Sequence, residues 1–299
     1  MFKQIVVGVD EDHDSRDATA IAENLLASDG QLTLVHVDTD YPHPHRAVGS
    51  ADEVTKRQRC ALAPLARAVH ESRVPARIRV SRAHSVGRGL HEFCETIGAD
   101  LLVVGSSRRG PLGRVLVGDD TRAALTHAPC AIVIAPAGYL AQSARMLEIG
   151  VGYDGSPESQ HALRLARTLA VGSGAKLSAF EVITVPSTAL STGPLPFDEM
   201  VSTLVAEARQ RIAAFGDVEP HAAYGHPAEE LAVYSASLDL LVVGSRGYGP
   251  IGRLIHGGTA QALARTARCP LLVLPGAATA IEPQEVVDAG REIAAEVHG

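Results

Sequence analysis

The sequence predicts an α/β protein built from two tandem doubly wound domains, each with a five-stranded parallel sheet flanked by helices. The segment 101–136 aligns without a gap with 240–275, and the openings 5–27 and 149–170 repeat as well. In both copies, short apolar runs alternate with longer amphipathic stretches. A duplication of one unit explains these observations, and differences between the copies then indicate differences in function.

Five apolar runs in each copy have the length and composition of strands. In the first copy they lie at 5–9, 32–37, 76–81, 101–105 and 131–135, and in the second at 149–153, 177–183, 220–225, 240–244 and 271–275. The first, fourth and fifth runs are apolar throughout, as expected for parallel strands that are buried on both faces.

Amphipathic helical stretches separate these runs, at 17–28, 53–72, 158–170 and 198–215. We therefore predict domain 1 at 1–138 and domain 2 at 146–277, each with right-handed crossovers. Residues 278–299 form a C-terminal helical tail in this prediction, which could pack on the core or on a partner. Its apolar candidates are Ile281, Val286, Val287, Ile293 and Val297.

The composition is that of a globular protein. At 299 residues, the chain suits two domains of about 140 residues each. Its net charge of −7 gives no general case for binding nucleic acid, which usually requires a basic face. No run of about 18 apolar residues is present, and the chain begins directly with a strand pattern. We expect neither a membrane span nor a secretory signal.

The four cysteines are scattered without a C-x-x-C spacing, at Cys60, Cys94, Cys130 and Cys269. This pattern favours a reducing, cytoplasmic compartment and gives little support to metal or redox chemistry. We expect the four side chains to be buried apolar thiols.

A glycine motif follows the fourth strand of domain 2. Gly244, two residues, Gly247, nine residues and Gly257 are followed by Gly258, Thr259 and a helical stretch. Glycines at a strand end permit positive φ and let N–H groups approach a phosphate, and a helix N-terminus attracts an anion. Arg246, Arg253 and His256 could assist. Spacing alone favours a turn without a ligand equally well.

These residues resemble the universal stress protein family, whose fold is Rossmann-like. The resemblance rests on Asp154-Gly155-Ser156 after the first strand, on VVGSRG at 242–247 and on the glycine spacing. It implies that Asp154 contacts adenine, that Val182 or Ile183 lies beside the base, and that Gly244, Gly247 and Gly257 cradle ribose and phosphates. Gly258 stands where the family has Ser or Thr, so one hydroxyl is missing unless Thr259 substitutes.

Domain 1 departs further from the pattern. Asp10, Gly105 and Gly118 keep their positions, but Arg108 replaces the second glycine and Asp119 stands where Ser or Thr would be. An ionised Asp119 about 4 Å from a phosphate charge would repel it by roughly 4 kcal/mol. Asp119 could instead cap a helix near Thr121, which is the interpretation we favour. Domain 1 is thus predicted to be the poorer triphosphate site.

Other polar residues give weaker signals. His43 and His45 could ligate a metal but are more simply surface residues, and Glu11, Asp12 and Asp14 suit a solvated turn better than a cation site. Ser156 lacks a paired His and carboxylate and is predicted to cap the 158–170 helix. The proline-rich segments 38–52 and 184–197 suit lids or plain surface loops equally.

The resemblance implies a non-catalytic, ATP-binding stress-response regulator, with nucleotide, alone or with Mg²⁺, mainly in domain 2 and any hydrolysis slow. It also implies pairing of the last strands, either in a homodimer or between the halves as an intramolecular pseudo-dimer. Two alternatives stay open: the same fold acting as an interaction module without nucleotide, and an ATP-using hydrolase or nucleotidyl-transfer enzyme. A bulky residue at Gly247 should abolish most binding, whereas changes at Arg108 should matter little.

Overall fold

The computed structural model describes most of both halves of the chain. The described residues are 1–10, 15–39, 51–106, 128–139, 146–184, 197–245 and 258–275, with short pieces at 108–109, 115–116 and 124. Several predicted features lie outside them: the residues Glu11, Asp12, Asp14, His43, His45, Asp119 and Thr121, most of the two proline-rich segments, and the segment 278–299.

Domain 1 alternates strands and helices as predicted. Its elements are β1 (Phe2–Gly8), α1 (Arg16–Leu25), β2 (Leu26–Asp38), α2 (Ala51–Glu71), β3 (Ala76–Arg82), α3 (Val86–Ile97), β4 (Leu101–Gly105), the short pair β5 (Arg108–Arg109) and β6 (Val115–Leu116), and β7 (Ala131–Ala135). The strands β5 and β6 form a separate antiparallel pair. The helix α3 was not among the predicted helical stretches.

One boundary in domain 1 was predicted wrongly. The helix expected over 17–28 ends at Leu25, and β2 begins at Leu26 rather than at residue 32. Leu26 pairs with Phe2 on β1, and an added Cβ at Gly30 would lie 3.0 Å from the Phe2 carbonyl oxygen. This close backbone approach extends the strand, and a sequence pattern does not show it.

Domain 2 repeats the order. Its elements are β8 (Glu148–Gly152), α4 (Pro157–Ser173), β9 (Lys176–Ile183), α5 (Phe197–Ala213), β10 (Glu219–Tyr224), α6 (Pro227–Tyr234), β11 (Leu240–Gly244), α7 (Gly258–Thr266) and β12 (Leu271–Leu274). All five predicted strands are confirmed within one or two residues. The helix α6 was not predicted.

The two halves join in a single ten-stranded sheet, in the order β10-β9-β8-β11-β12-β7-β4-β1-β2-β3. Pairing is parallel within each half and antiparallel only between β12 and β7, where Leu272 lies opposite Val133. Of the two arrangements that the resemblance implied for the last strands, the structure has the intramolecular one. Each half has the strand order of a doubly wound sheet, in which the two central strands diverge at a switch point.

Apolar layers on both faces of the sheet hold the halves together. After β7 the chain stays against domain 1: the Gly138 N–H donates to Asp17 Oδ2 at 2.6 Å, and Tyr139 is buried. Met146 is buried in the same core as Leu272. In the described part of the chain, no helix is both long and apolar enough to cross a membrane.

Three cysteines are buried free thiols, as predicted, while the side chain of Cys60 lies outside the described residues. Hydrogen bonding with Cys130 and burial raise the pKa of the Cys94 thiol. Burial raises the pKa of the Cys269 thiol as well. Because the thiolate is the reactive form, these side chains serve packing rather than chemistry.

Candidate nucleotide cleft

A cleft of about 720 Å³ opens at the carboxyl ends of β8, β9 and β11 in domain 2. This is the switch point of the sheet, where doubly wound folds bind ligands. The cleft is lined by Gly152, Tyr153, Asp154, Ser156, Ser159, Phe180, Val182, Thr184, His226, Pro227, Leu231, Val243, Gly244, Gly258 and Thr259.

The carboxylate of Asp154 is held at this strand edge by the turn that follows β8. Asp154 Oδ1 accepts hydrogen bonds from the Ser156 N–H at 3.0 Å and from Ser156 Oγ. The turn requires Gly155 at φ +77°, a conformation that glycine adopts without strain. Ser156 Oγ also accepts from the Ser159 N–H, so Ser156 caps α4 as predicted.

Three helices begin at this cleft, since Ser156 precedes α4, Pro227 begins α6 and Gly258 begins α7. Helix N-termini carry free N–H groups and a partial positive charge, which attract anions. The first turns of α4 and α6 contain proline and glutamate, which remove a donor and supply negative charge. The first turn of α7 contains neither. Its amides are therefore the most favourable of the three sites for a phosphate.

The opposite side of the cleft is apolar. Phe180 and Leu231 are buried, while Val182 is half-buried and packs against the same cluster. Burial, with a smaller contribution from Glu181 and Asp154, raises the pKa of Tyr153, so its hydroxyl stays protonated at neutral pH. An apolar wall, one carboxylate and a set of amides together suit a ligand with a flat heterocycle at one end and an anion at the other.

The structure brings together most of the described residues predicted for domain 2. Asp154, Val182, Gly244, Gly258 and Thr259 all line the cleft, and Gly155 forms the adjoining turn. Ile183, the alternative to Val182, is not among the lining residues. The predicted residues Arg246, Gly247 and Gly257 lie outside the described residues.

One of the two reasons given for Gly244, a backbone turn with positive φ, was wrong. Neither Gly244 nor Gly258 has positive φ. An added Cβ at Gly244 would lie 2.7 Å from Glu158 Cβ and 2.8 Å from the Glu158 carbonyl carbon, so a side chain is excluded by the first turn of α4. Gly244 therefore permits close strand–helix packing at the cleft, rather than an unusual backbone turn.

Sequence reasoning missed several lining residues, including Phe180, His226 and Leu231. A signal for one of them was present: Gly225-His226-Pro227 follows the third strand, and proline is favoured in a first helical turn. A helix that starts there must start at the same sheet edge as the glycine motif. Phe180 has no comparable signal, because it stands in an apolar strand pattern like any other buried strand residue.

Domain 1 places Asp10 at the equivalent position. In each domain, the residue before the aspartate continues the pairing of the first strand with the second. The Val9 N–H donates to the Val35 carbonyl at 2.8 Å, and the Tyr153 N–H donates to the Phe180 carbonyl at 3.0 Å. Gly105 ends β4 as Gly244 ends β11. Gly118 lies outside the described residues, as do the predicted departures around Asp119, and the side chain of Arg108 is not described.

In domain 1, a helix covers the end of the second strand more closely than in domain 2. Val37, which occupies the position of Val182, is only 6% exposed. An added Cβ at Gly89 on α3 would lie 2.6 Å from Val37 Cγ1, so α3 is seated directly on this side chain. The position equivalent to Gly89 in domain 2 is Glu230, because Leu90 and Leu231 pack alike on Gly8 and Gly152.

The fold and the cleft define a tandem doubly wound α/β protein with a ligand cleft at a sheet switch point. The model of the universal stress protein family matches the chain twice, at residues 1–136 and 146–275. The chain belongs to this family as a two-domain member.

Known proteins agree with this assignment. A universal stress protein of Mycolicibacterium smegmatis is 28% identical over 288 residues, covering 90% of this chain and 96% of that protein. One from Mycobacterium tuberculosis is 29% identical over 188 residues, covering 58% of this chain and only 61% of that relative. A solved universal stress protein of Archaeoglobus fulgidus has a TM-score of 0.61 at 14% identity, covering 91% of this chain and 98% of its own, which shows the shared fold.

Proposed function

We propose that this protein binds an adenine nucleotide in the cleft of domain 2 and acts as a non-catalytic regulator of a stress response. The observation that carries the proposal is the pairing of an apolar wall with the N-terminus of α7, whose first turn holds neither proline nor an acidic residue, across one cleft of about 720 Å³. The wall suits a base, and the amides of Gly258 and Thr259 suit phosphate. ATP, alone or with Mg²⁺, is the expected ligand.

The placement of Asp154 supports adenine as the base. Its carboxylate is oriented by two hydrogen bonds from Ser156 and stands beside the half-buried Val182. A carboxylate accepts hydrogen bonds, and the exocyclic amine of adenine donates them. This assignment agrees with the role that the resemblance implies for Asp154.

A regulatory rather than catalytic role is supported by the residues of the cleft. Among the described lining residues, the ionisable side chains are Tyr153, Asp154 and His226, with no lysine or arginine. Phosphoryl transfer usually requires cations that neutralise the developing charge. Arg246 and Arg253 lie outside the described residues, so slow hydrolysis is the expectation for the described part of the cleft alone.

The alternative is the same fold acting as an interaction module without nucleotide. The missing hydroxyl at Gly258 favours it. The structure weakens the version of this alternative in which the protein dimerises through its last strands. These strands, β7 and β12, already pair with each other inside the chain. A homodimer would need another surface.

Calorimetry with ATP and Mg²⁺, together with analysis of nucleotide retained during purification, tests the proposal. We expect binding at one site per chain. Thr259→Val should weaken binding about fivefold, because it removes a hydroxyl at the phosphate end, and Gly258→Ser should strengthen it, because no described atom lies within 4 Å of an added Cβ there. No heat and no retained nucleotide would favour the interaction module.

A further inference from the structure

Outside the cleft, arginines are concentrated along the outer edge of domain 1. Between residues 59 and 91 the chain holds seven arginines and one glutamate, although its net charge is −7. All seven arginines are exposed, and they lie on α2, on the turn that follows, on β3 and at the start of α3. They are Arg59, Arg67, Arg73, Arg77, Arg79, Arg82 and Arg88.

Most of these guanidinium groups are not neutralised within the described part of the fold. Arg88 pairs with Glu92 on α3, with 2.6 Å between Nε and Oε1. Five others have no carboxylate of a described residue within ion-pair distance, and we call this group the basic edge: Arg59, Arg67, Arg73, Arg77 and Arg79. A cluster of unpaired like charges is unfavourable unless an anionic group is nearby.

Apolar side chains are exposed in the same region. On α2, Leu62 is 44% and Val69 is 37% exposed, although the same helix buries Leu65. On β3, Ile78 is 36% exposed and shares its strand face with Val80, which packs against the α2 layer, whereas Arg77 and Arg79 alternate to the other face. An occupant must therefore lie along the edge of β3 to reach both. Because β3 is the last strand of the sheet, its outer backbone edge has no strand partner among the described residues. An occupant of this surface should be both acidic and apolar.

We propose that residues 281–299 of the same chain dock on the basic edge. This segment has five acidic residues and one arginine: Glu282, Glu285, Asp288, Glu292 and Glu296 against Arg291. On a helical projection, all four glutamates fall on one side, and the apolar Val286, Ile293 and Val297 fall on the adjacent side. The segment therefore offers the charge and the apolar stripe that the surface lacks.

The geometry of the sheet allows this contact. β12 runs antiparallel to the strands of domain 1, so Pro275 at its end lies at the sheet edge where β3 begins, the side of Arg73 and Arg77. Five strand-to-strand steps, about 24 Å, separate β12 from β3. Residues 276–299 could span about 80 Å if extended. Tethering also raises the effective concentration into the millimolar range, so modest complementarity suffices.

Zero-length cross-linking of the full chain tests the proposal. Arg77→Lys keeps the charge and introduces an amine that a carbodiimide can couple to a carboxylate in contact with it. We expect mass spectrometry to find links from position 77 to Glu282, Glu285, Glu292 or Glu296, within monomers. The matched control is Arg164→Lys on the exposed face of α4, which should give at least fivefold fewer such links.

Charge reversal sharpens the test. Adding Glu285→Lys and Glu292→Lys to the first variant should lower the yield of links between position 77 and the remaining carboxylates of 281–299 at least fivefold, as should 0.5 M salt. Links that occur only in covalent dimers, equal yields from positions 77 and 164, or yields unchanged by charge reversal would each overturn the proposal. The proposal would also be overturned if an added oligonucleotide blocked cross-linking at position 77 in the full chain with residues 281–299 intact. That result would assign the basic edge to nucleic acid.

Discussion

The sheet edges at the carboxyl ends of the strands have the same backbone arrangement in the two halves. They differ in how closely a helix covers the second strand. Asp10 and Asp154 occupy equivalent positions, because each follows the residue whose N–H donates a hydrogen bond to the second strand. In domain 1, α3 sits on Val37 with only a glycine between them. In domain 2, Val182 is half-buried and lines an open cleft.

This difference teaches that the duplicated topology brings equivalent residues to the same sheet edge, whereas helix seating decides how much of the second strand is exposed there. Protein interiors are close-packed, so a helix that approaches by the width of one methyl group covers the strand residue beneath it. Gly89 permits that approach in domain 1. Glu230 carries a full side chain at the equivalent position in domain 2, and its carboxylate lies beside Gly225 instead.

The largest expected effect is a difference in ATP affinity between variants of Asp154 and Asp10. Asp154→Asn should weaken ATP binding about 10- to 100-fold, because it removes a charged acceptor of a hydrogen bond. Asp10→Asn should change affinity less than about twofold. Titration calorimetry of the two variants measures both values. Equal losses would contradict the assignment of domain 2 as the working half.

The second prediction compares the glycines that end β4 and β11. Gly244→Ala should lower the free energy of unfolding by about 1–3 kcal/mol, because the new methyl group would meet the backbone of α4 at Glu158. Gly105→Ala has no described atom within 4 Å and should be close to neutral. Urea midpoints at unchanged m report the difference. A neutral Gly244→Ala would show that α4 is not packed against this glycine.

The third prediction concerns the seating of α3. Gly89→Ala should destabilise the protein by about 1–2 kcal/mol, because its methyl group would press on Val37 and Ala83. Glu230→Ala, the matched change in domain 2, should have a smaller effect. Thermal unfolding of the two variants tests this order. The reverse order would mean that α3 is no more tightly seated than α6.

The smallest expected effect is a pH dependence confined to domain 2. Burial, assisted by Arg164, lowers the pKa of His161 on α4, at the position where α1 carries Asp17. The folded state therefore binds a proton less readily than the unfolded state, so stability is full above pH about 6.5 and falls as the pH drops through the folded pKa. His161→Gln should reduce the slope of unfolding free energy between about pH 7 and 5. An unchanged slope would contradict the prediction.

Much of the candidate site was accessible from the sequence because strand ends are easily recognised. Asp154, Gly244 and Thr259 each stand directly after an apolar run or before a helical one. Parallel strands bring such positions to one edge. His226 was missed although Pro227 marks a helix start, and Phe180 was missed because a buried strand position gives no distinctive pattern. The contact of Gly244 with Glu158 was not predicted, because it depends on how α4 packs.

By itself, the sequence determined the duplication, the ten strands of the two repeats and the edge at which their polar residues gather, because periodicity and local turn chemistry are properties of neighbouring residues. The antiparallel contact of Val133 with Leu272 had been expected only as one of two arrangements, within a chain or between chains. Tertiary structure decided that contact, the close seating of α3 on Val37 and the cleft beside Val182. These depend on distances between segments far apart in the chain, where a fraction of an ångström determines whether a methyl group fits.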